Sequence, residues 1–307
     1  MQTRPKSTLR DIAIVAGYEL AEALRTRRIL ILVILFVGGA TFGSLAFVEV
    51  LENVEKGLAQ TLAIAGPGKA GAVTTELMRS PEFERVLSGL LDDEGLAKEL
   101  ISLPPLALFY GWLGLTFMPT LIMLSAAETI SSELAGGALR FSLLRTSRLN
   151  FSVGKLVGQT LLMLVGLGTG ALAVWLTGYF SLSGFAAGAT GLWLGLLSVR
   201  IAVYAFAHVG LAVGLSHMTR SVPVSRALAL GSLMLFSVLH GIGVHSDYVR
   251  EHAGAVVDTL LPLLPNSHEL GLWQPTFMDR LPALVMLCVL GIGYFALGYA
   301  YRARRDV

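Results

Sequence analysis

The sequence predicts an all-α integral membrane protein with six transmembrane helices, an N-terminal interfacial helix, and a small helical external insertion between spans one and two. Three observations predict it. Of 307 residues, 54% are hydrophobic and only 14% charged, with a mean hydropathy of +0.69, whereas a soluble domain carries about 25% charged residues. Uncharged runs long enough to cross a bilayer recur along the chain. Lys and Arg are spread unevenly over the segments between those runs, and in a membrane protein this distribution is more informative than the net charge of +2.

Residues 1–28 are polar and basic. Thr8 and Asp11 form a T-x-x-D helix start, and Leu9, Ile12, Ala16, Leu20 and Ala23 recur at spacings of three and four. An amphipathic helix ending in Arg25, Arg27 and Arg28 suits the anionic cytoplasmic face of a membrane. Residues 29–50 are span one. Their uncharged part, 29–48, has 20 residues and at about 1.5 Å each crosses a hydrocarbon core of about 30 Å. The run is longer than a signal-peptide core and lacks a cleavage site, so it reads as a retained span.

Residues 51–104 are the extracytoplasmic insertion, with nine acidic and five basic residues from Glu52 to Leu103. Ser80, Pro81 and Glu82 read as a helix start ahead of a stripe of Phe83, Val86, Leu87, Leu90 and Leu91. Leu96, Leu100 and Ile101 supply a second short helix. Residues 105–127 are span two, with Pro119 a predicted kink. Residues 128–153 form a cytoplasmic loop, and residues 154–307 carry spans three to six.

Within that last stretch, 156–199 lacks charge for 44 positions, too long for one crossing, with a turn at 181–184 and Trp175 and Trp193 as belt residues beside it. Span five runs from about Ala227 to Val244. Residues 245–280, with Pro262, Pro265 and Pro275, form an external re-entrant or interfacial region, and 281–301 is span six. Counted by side, 15 Lys and Arg flank the spans with the termini and 7 lie on the other side, so both termini are expected in the cytoplasm.

The loop after span two is the most informative stretch. Arg140, Arg145 and Arg148 carry its charge, and Leu139, Leu143 and Leu144 are expected on one helical face, giving a short amphipathic helix at the membrane surface. The ordered string Glu128, Ser132, Glu133, Gly137, Leu139, Arg140, Leu143, Leu144, Ser147, Arg148, Gly154 and Lys155 resembles the first cytoplasmic loop of the ABC type-2 exporter permeases. Ala138 stands where that family carries Thr. The six-span plan, the large first external segment and the proline-interrupted segment before the last span extend the resemblance over nearly the whole chain.

The resemblance implies the permease subunit of an ATP-driven exporter in a bacterial plasma membrane. It implies a cytoplasmic ABC ATPase as partner, a second permease subunit in a homodimer or heterodimer, and surrounding membrane lipid, with no nucleic acid. It further implies a coupling loop in which Glu133, Leu139, Arg140, Leu143, Leu144, Arg145 and Arg148 pass ATPase closure to the spans. No cofactor is expected in this chain, because ATP and magnesium would be bound by the ATPase.

The residues themselves are consistent with a non-enzymatic chain. Gly66-Pro-Gly-Lys69 and Gly154-Lys155 lack the glycine spacing and the Ser or Thr of a Walker A loop, His268-Glu269 has Leu272 where HExxH needs a second His, and no G-x-S-x-G occurs. Cys288, the single cysteine, leaves no disulfide framework or cysteine metal site. His240, His245, His252 and His268 with Asp247 and Glu251 fit no compact metal spacing. Tyr204 and His208 lie one turn apart and are expected to bond a neighbouring helix. Gly39/Gly43, Gly154/Gly158 and Gly210/Gly214 form small-xxx-small pairs suited to close helix contacts within a bundle or between subunits.

Arg200 stands alone inside an apolar run, where a guanidinium must snorkel, find a carboxylate, or line a polar substrate path. Two rival functions stay open at this point: a secondary transporter or channel, which internal repeats would favour, and a membrane assembly scaffold without an ATPase.

Overall fold

The computed structural model describes residues 8–26, 28–62, 85, 88–89, 94–182 and 185–305. The helix expected from 80 to 91 lies almost wholly outside them. All regular structure among the described residues is helical. In chain order the helices are α1 (Thr8–Arg25), α2 (Arg28–Leu62), α3 (Glu94–Ser102), α4 (Pro105–Ala126), α5 (Ser131–Ala135), α6 (Leu139–Leu143), α7 (Arg148–Ser181), α8 (Ala187–Ser216), α9 (Val222–His245), α10 (Asp247–Leu260) and α11 (Phe277–Arg305), with 3-10 turns at Leu261–Leu263, Pro265–His268 and Leu270–Trp273 before α11. Six of them, α2, α4, α7, α8, α9 and α11, are long and apolar enough to cross a membrane.

The span boundaries follow local chemistry. Pro104 and Pro105 open α4, because proline fits a first turn whose N–H groups have no helical acceptor. Ser147 caps α7 by accepting a hydrogen bond from the Asn150 backbone N–H at 3.1 Å. Pro223 at its first turn starts α9 at Val222, five residues before the expected Ala227. Pro119 lies buried within α4, and the helix continues through it. The helix α2 also continues well past its apolar part, so that its polar end reaches Leu62.

The core is centred on α8, which packs against α4, α7 and α11 and has 67% of its most apolar window buried, against 11% for the peripheral α9. Tyr110 on α4 donates to the Leu167 carbonyl on α7 at 3.0 Å and lies 2.9 Å from Ser198 Oγ on α8, joining three spans at one buried point. Phe47 on α2 stacks on Phe109 of α4 at 5.0 Å.

Glycines decide the closest approaches. A Cβ on Gly210 would overlap the Gly291 carbonyl, and one on Gly298 would overlap the Gly214 backbone, so α8 and α11 cross with their main chains in contact. Gly154 and Gly158 on α7 receive Val15 and Glu19 of α1 in the same manner. These two pairs therefore serve contacts within one chain, whereas Gly39 meets nothing within 4 Å and Gly43 meets Phe109.

Gly210→Ala is expected to destabilise the bundle by about 1–3 kcal/mol, because the α8–α11 crossing must widen along its length. Gly195→Ala, where nothing lies within 4 Å of the added carbon, is expected to be neutral or to stabilise by up to about 1 kcal/mol. Thermal unfolding of the purified variants in detergent measures both.

Candidate functional site

The loop between α4 and α7 lies at the end of the bundle that also carries α1 and the last turns of α11. Of the apolar stripe expected on α1, Ala16 and Ala23 are buried, Ile12 and Leu20 half-buried, and only Leu9 is exposed. Glu19 is buried with them, because the glycines of α7 admit the face bearing Val15 and Glu19.

Burying Glu19 requires a partner, and Lys155 of α7 supplies it. The Lys155 ammonium, 2% exposed, is ion-paired with both Glu19 and Glu133 of α5, and Gln159 donates its side-chain amide to Glu19 at 2.7 Å. Burial pushes the Glu19 carboxyl above its ordinary value, while the Lys155 ammonium and the Gln159 amide oppose the shift. Phe151 sets its ring 5.6 Å from the same ammonium. Glu22 adds a third carboxylate near Glu19 and Glu133. Asp11 accepts from Thr146 Oγ1 at 3.3 Å and Asn150 Nδ2 at 3.5 Å, a second tie from α1 to the end of the loop.

The start of the loop is tied to α8 and α9. Ser216 Oγ accepts from the backbone N–H groups of Ile130 and Ser131 at 3.0 and 2.9 Å. Ser225 donates to the Ala127 carbonyl, and Arg226 pairs with Glu128 at 2.6 Å. His217 donates from Nδ1 to the Val213 carbonyl at 2.8 Å, which leaves Nε2 to accept from Ser152 Oγ at 3.0 Å. Burial holds this imidazole down to about 4, so it is neutral.

Between those ties the loop turns through Gly137, at φ 69°, a backbone region that favours glycine. This turn delivers α6 with Leu139 buried and Leu143 half-buried. A small hollow behind α6 is lined by Leu139, Leu143, Arg148, Phe151, Tyr299 and Arg302. Leu144 does not share that face. It lies 79% exposed beside Phe141 at 74%, since adjacent helical residues are about 100° apart and α6 ends at Leu143. Arg140, Arg145 and Arg148 are exposed around this pair. The outward apolar residues are therefore Phe141 and Leu144, not Leu143 and Leu144.

Of the residues singled out in the sequence, Glu133, Leu139, Arg140, Leu143, Leu144, Arg145 and Arg148 come together here. Arg200 lies at the opposite end of the bundle, where its Nη2 bonds Glu99 Oε1 of α3 at 3.3 Å. It has thus found a carboxylate and is 6% exposed. Tyr204 and His208 stay in contact, with ring centroids 4.9 Å apart, but only Tyr204 bonds another segment among the described residues. Tyr204 donates to Glu269 Oε2 at 3.5 Å, and the His208 Nδ1 bonds the carbonyl of Tyr204 on its own helix. Of the histidines considered as metal ligands, His240 meets Ser267, His252 stacks on Tyr248, and His268 bonds the Pro262 carbonyl.

Sequence reasoning missed Glu19 and Phe141. Glu19 carried a signal, since an acid between Ala16 and Ala23 on an apolar stripe must be neutralised where that stripe is buried. Phe141 had none until the end of α6 was known.

Lys155→Met would leave Glu19 buried and Glu133 half-buried without their cation and is expected to cost about 3–5 kcal/mol. Adding Glu19→Gln and Glu133→Gln to Lys155→Met should recover most of the loss, read as the detergent melting temperature.

The family model described as ABC-2 family transporter protein matches residues 13–307. No curated protein matches the chain.

Proposed function

The chain belongs to the ABC-2 family of transporter proteins, and from that premise we propose that it couples ATP hydrolysis by a separate cytoplasmic ATPase subunit to substrate movement across the membrane. It is a multi-pass membrane protein with six helices of spanning length, and the membrane subunits of this family work with a separate ATPase. In this reading ATP and magnesium belong to the partner. Two permease subunits pair, as homodimer or heterodimer, in a bacterial plasma membrane with both termini in the cytoplasm.

The observation that carries the reading is the arrangement of the loop. Phe141 and Leu144 project from a segment tied through Thr146 to α1, Glu133 to α7, Ile130 and Ser131 to α8, and Ala127 and Glu128 to α9, so a load applied to the exposed pair can reach four helices. A free connector would need neither the buried Glu133–Lys155–Glu19 linkage nor the Ser216 hydroxyl under the first amides of the loop. The exposed apolar pair ringed by three arginines suits an apolar groove with an acidic rim on the ATPase.

Changing Phe141 and Leu144 together to Asp is expected to weaken ATPase binding by about 30-fold or more, because it sets unpaired charges in an apolar contact. Both side chains are exposed, so the fold of the permease should be retained. Copurification of a co-expressed ATPase in near-equal amount with the double variant would overturn the reading. Topology is tested by thiol labelling in a Cys288→Ser background: Tyr248→Cys should react from outside intact cells and Arg140→Cys only in inside-out vesicles.

A further inference from the structure

The helix α8 carries a polar stripe at its middle, with Arg200 and Tyr204 one turn apart. Two acidic residues from distant parts of the chain meet it. Glu99 comes from α3, and Glu269 comes from the 3-10 turns before α11. These two segments pack on each other, α3 against Leu270–Trp273. Ala97 of α3 and Leu272 of the turn are buried, at 0% and 1% exposed. The Trp273 ring rests on α4 at Gly111, where a Cβ would sit 2.6 Å from it. The pair of segments is thus seated on the bundle end and bonded to α8 through two side chains.

We propose that Arg200 and Tyr204 fasten α3 and the 270–273 turn as a closure over this end of the bundle, and that α8 carries movement of the loop to it. The loop end and the middle of α8 are suited to this. Ser216, at the loop end of α8, holds the first amides of the loop, and 16 residues of helix separate it from Arg200 near the helix middle, about 24 Å. The crossing with α11 at Gly210 and Gly214 stiffens that length, so a shift at Ser216 is delivered at Arg200 rather than absorbed between them.

Burial makes the fastening two-state. The guanidinium sits 6.0 Å from the Trp193 ring, and its Nε and Nη1 have no hydrogen-bond partner among the described residues. Arg280, a like charge close enough to act on it, turns its own N–H groups onto the Thr276 and Pro275 carbonyls. Withdrawing Glu99 leaves a positive charge without its counter-ion in a desolvated place, which is unfavourable unless the closure lifts far enough for water to enter. Intermediate positions are therefore disfavoured. The proposal deepens the permease reading and rests on it for the consequence in transport, but the closure itself is measurable without an ATPase.

The test is thiol accessibility of Ala97→Cys in a Cys288→Ser chain purified in detergent, so that sidedness does not enter. The reporter should react slowly with a maleimide in the otherwise native chain. Glu99→Gln, which keeps shape and removes only the charge, is expected to raise the rate about tenfold or more. Tyr204→Phe should raise it less, and the exchange Glu99→Arg with Arg200→Glu should return it towards the starting value. If the exchanged pair does not fold, Glu99→Asp serves instead, with a rate between those of the native chain and Glu99→Gln. Ser216→Ala should change the reporter rate at least about threefold. A Glu99→Gln rate within twofold of the native one overturns the closure, and an unchanged rate in Ser216→Ala overturns transmission along α8. Loss of ATPase binding in the Phe141 and Leu144 variant, or its persistence, leaves both readouts where they are.

Discussion

The architecture at the terminal end depends on one buried ammonium. Lys155 is far too polar to sit at 2% exposure without compensation, so two carboxylates from different elements must converge on it. One comes from α1 and the other from α5, and their convergence sets where the helix before the first span lies and where the loop begins. Gly154 and Gly158 allow that approach by leaving room for Val15 and Glu19. Small residues and a charge three or four positions apart on α7 thus act together: the glycines bring the helices near enough for the ion pairs to form, and the ion pairs choose the register in which the glycines are used.

A second constraint governs the middle of the bundle. Between helices in lipid, apolar side chains gain little by meeting each other, so close backbone packing and buried hydrogen bonds must specify the arrangement. The Gly210–Gly291 and Gly214–Gly298 contacts provide the first, and the Tyr110, Leu167 and Ser198 group provides the second. Both involve α8 or its neighbours, which is why α8 is central while α9, tied by Ser225 and Arg226 near its start and by His240 further along, remains at the rim.

Much of the plan was legible in the sequence, because spans and polar segments differ in average composition, and averages survive ignorance of packing. Six spans, the helix before them and the polar loop all followed from runs of uncharged residues and from helical periodicity. What was not legible depends on which way a particular side chain turns. Leu143 and Leu144 are neighbours in sequence, and only the end of α6 decides that one faces the hollow behind it and the other faces out. Arg200 could be recognised as anomalous, but Glu99 lies 101 residues away, and nothing local connects them. The Gly210/Gly214 pair announced a close contact without naming its partner, which proved to be α11.

The length of α2 has a further consequence. Its 35 residues make a rod of about 52 Å, which outruns a hydrocarbon core of about 30 Å. No glycine or proline stands between Gly43 and Gly57, so the helix leaves the apolar region at Glu49 and Glu52 without a joint. Inside the bundle the rod is held at Phe36, which packs on Gly170 of α7, and at Gly43, which packs on Phe109 of α4. Leu62 lies 19 residues beyond Gly43, about 28 Å along the axis, so any tilt about those contacts would displace the far tip more than the packed residues.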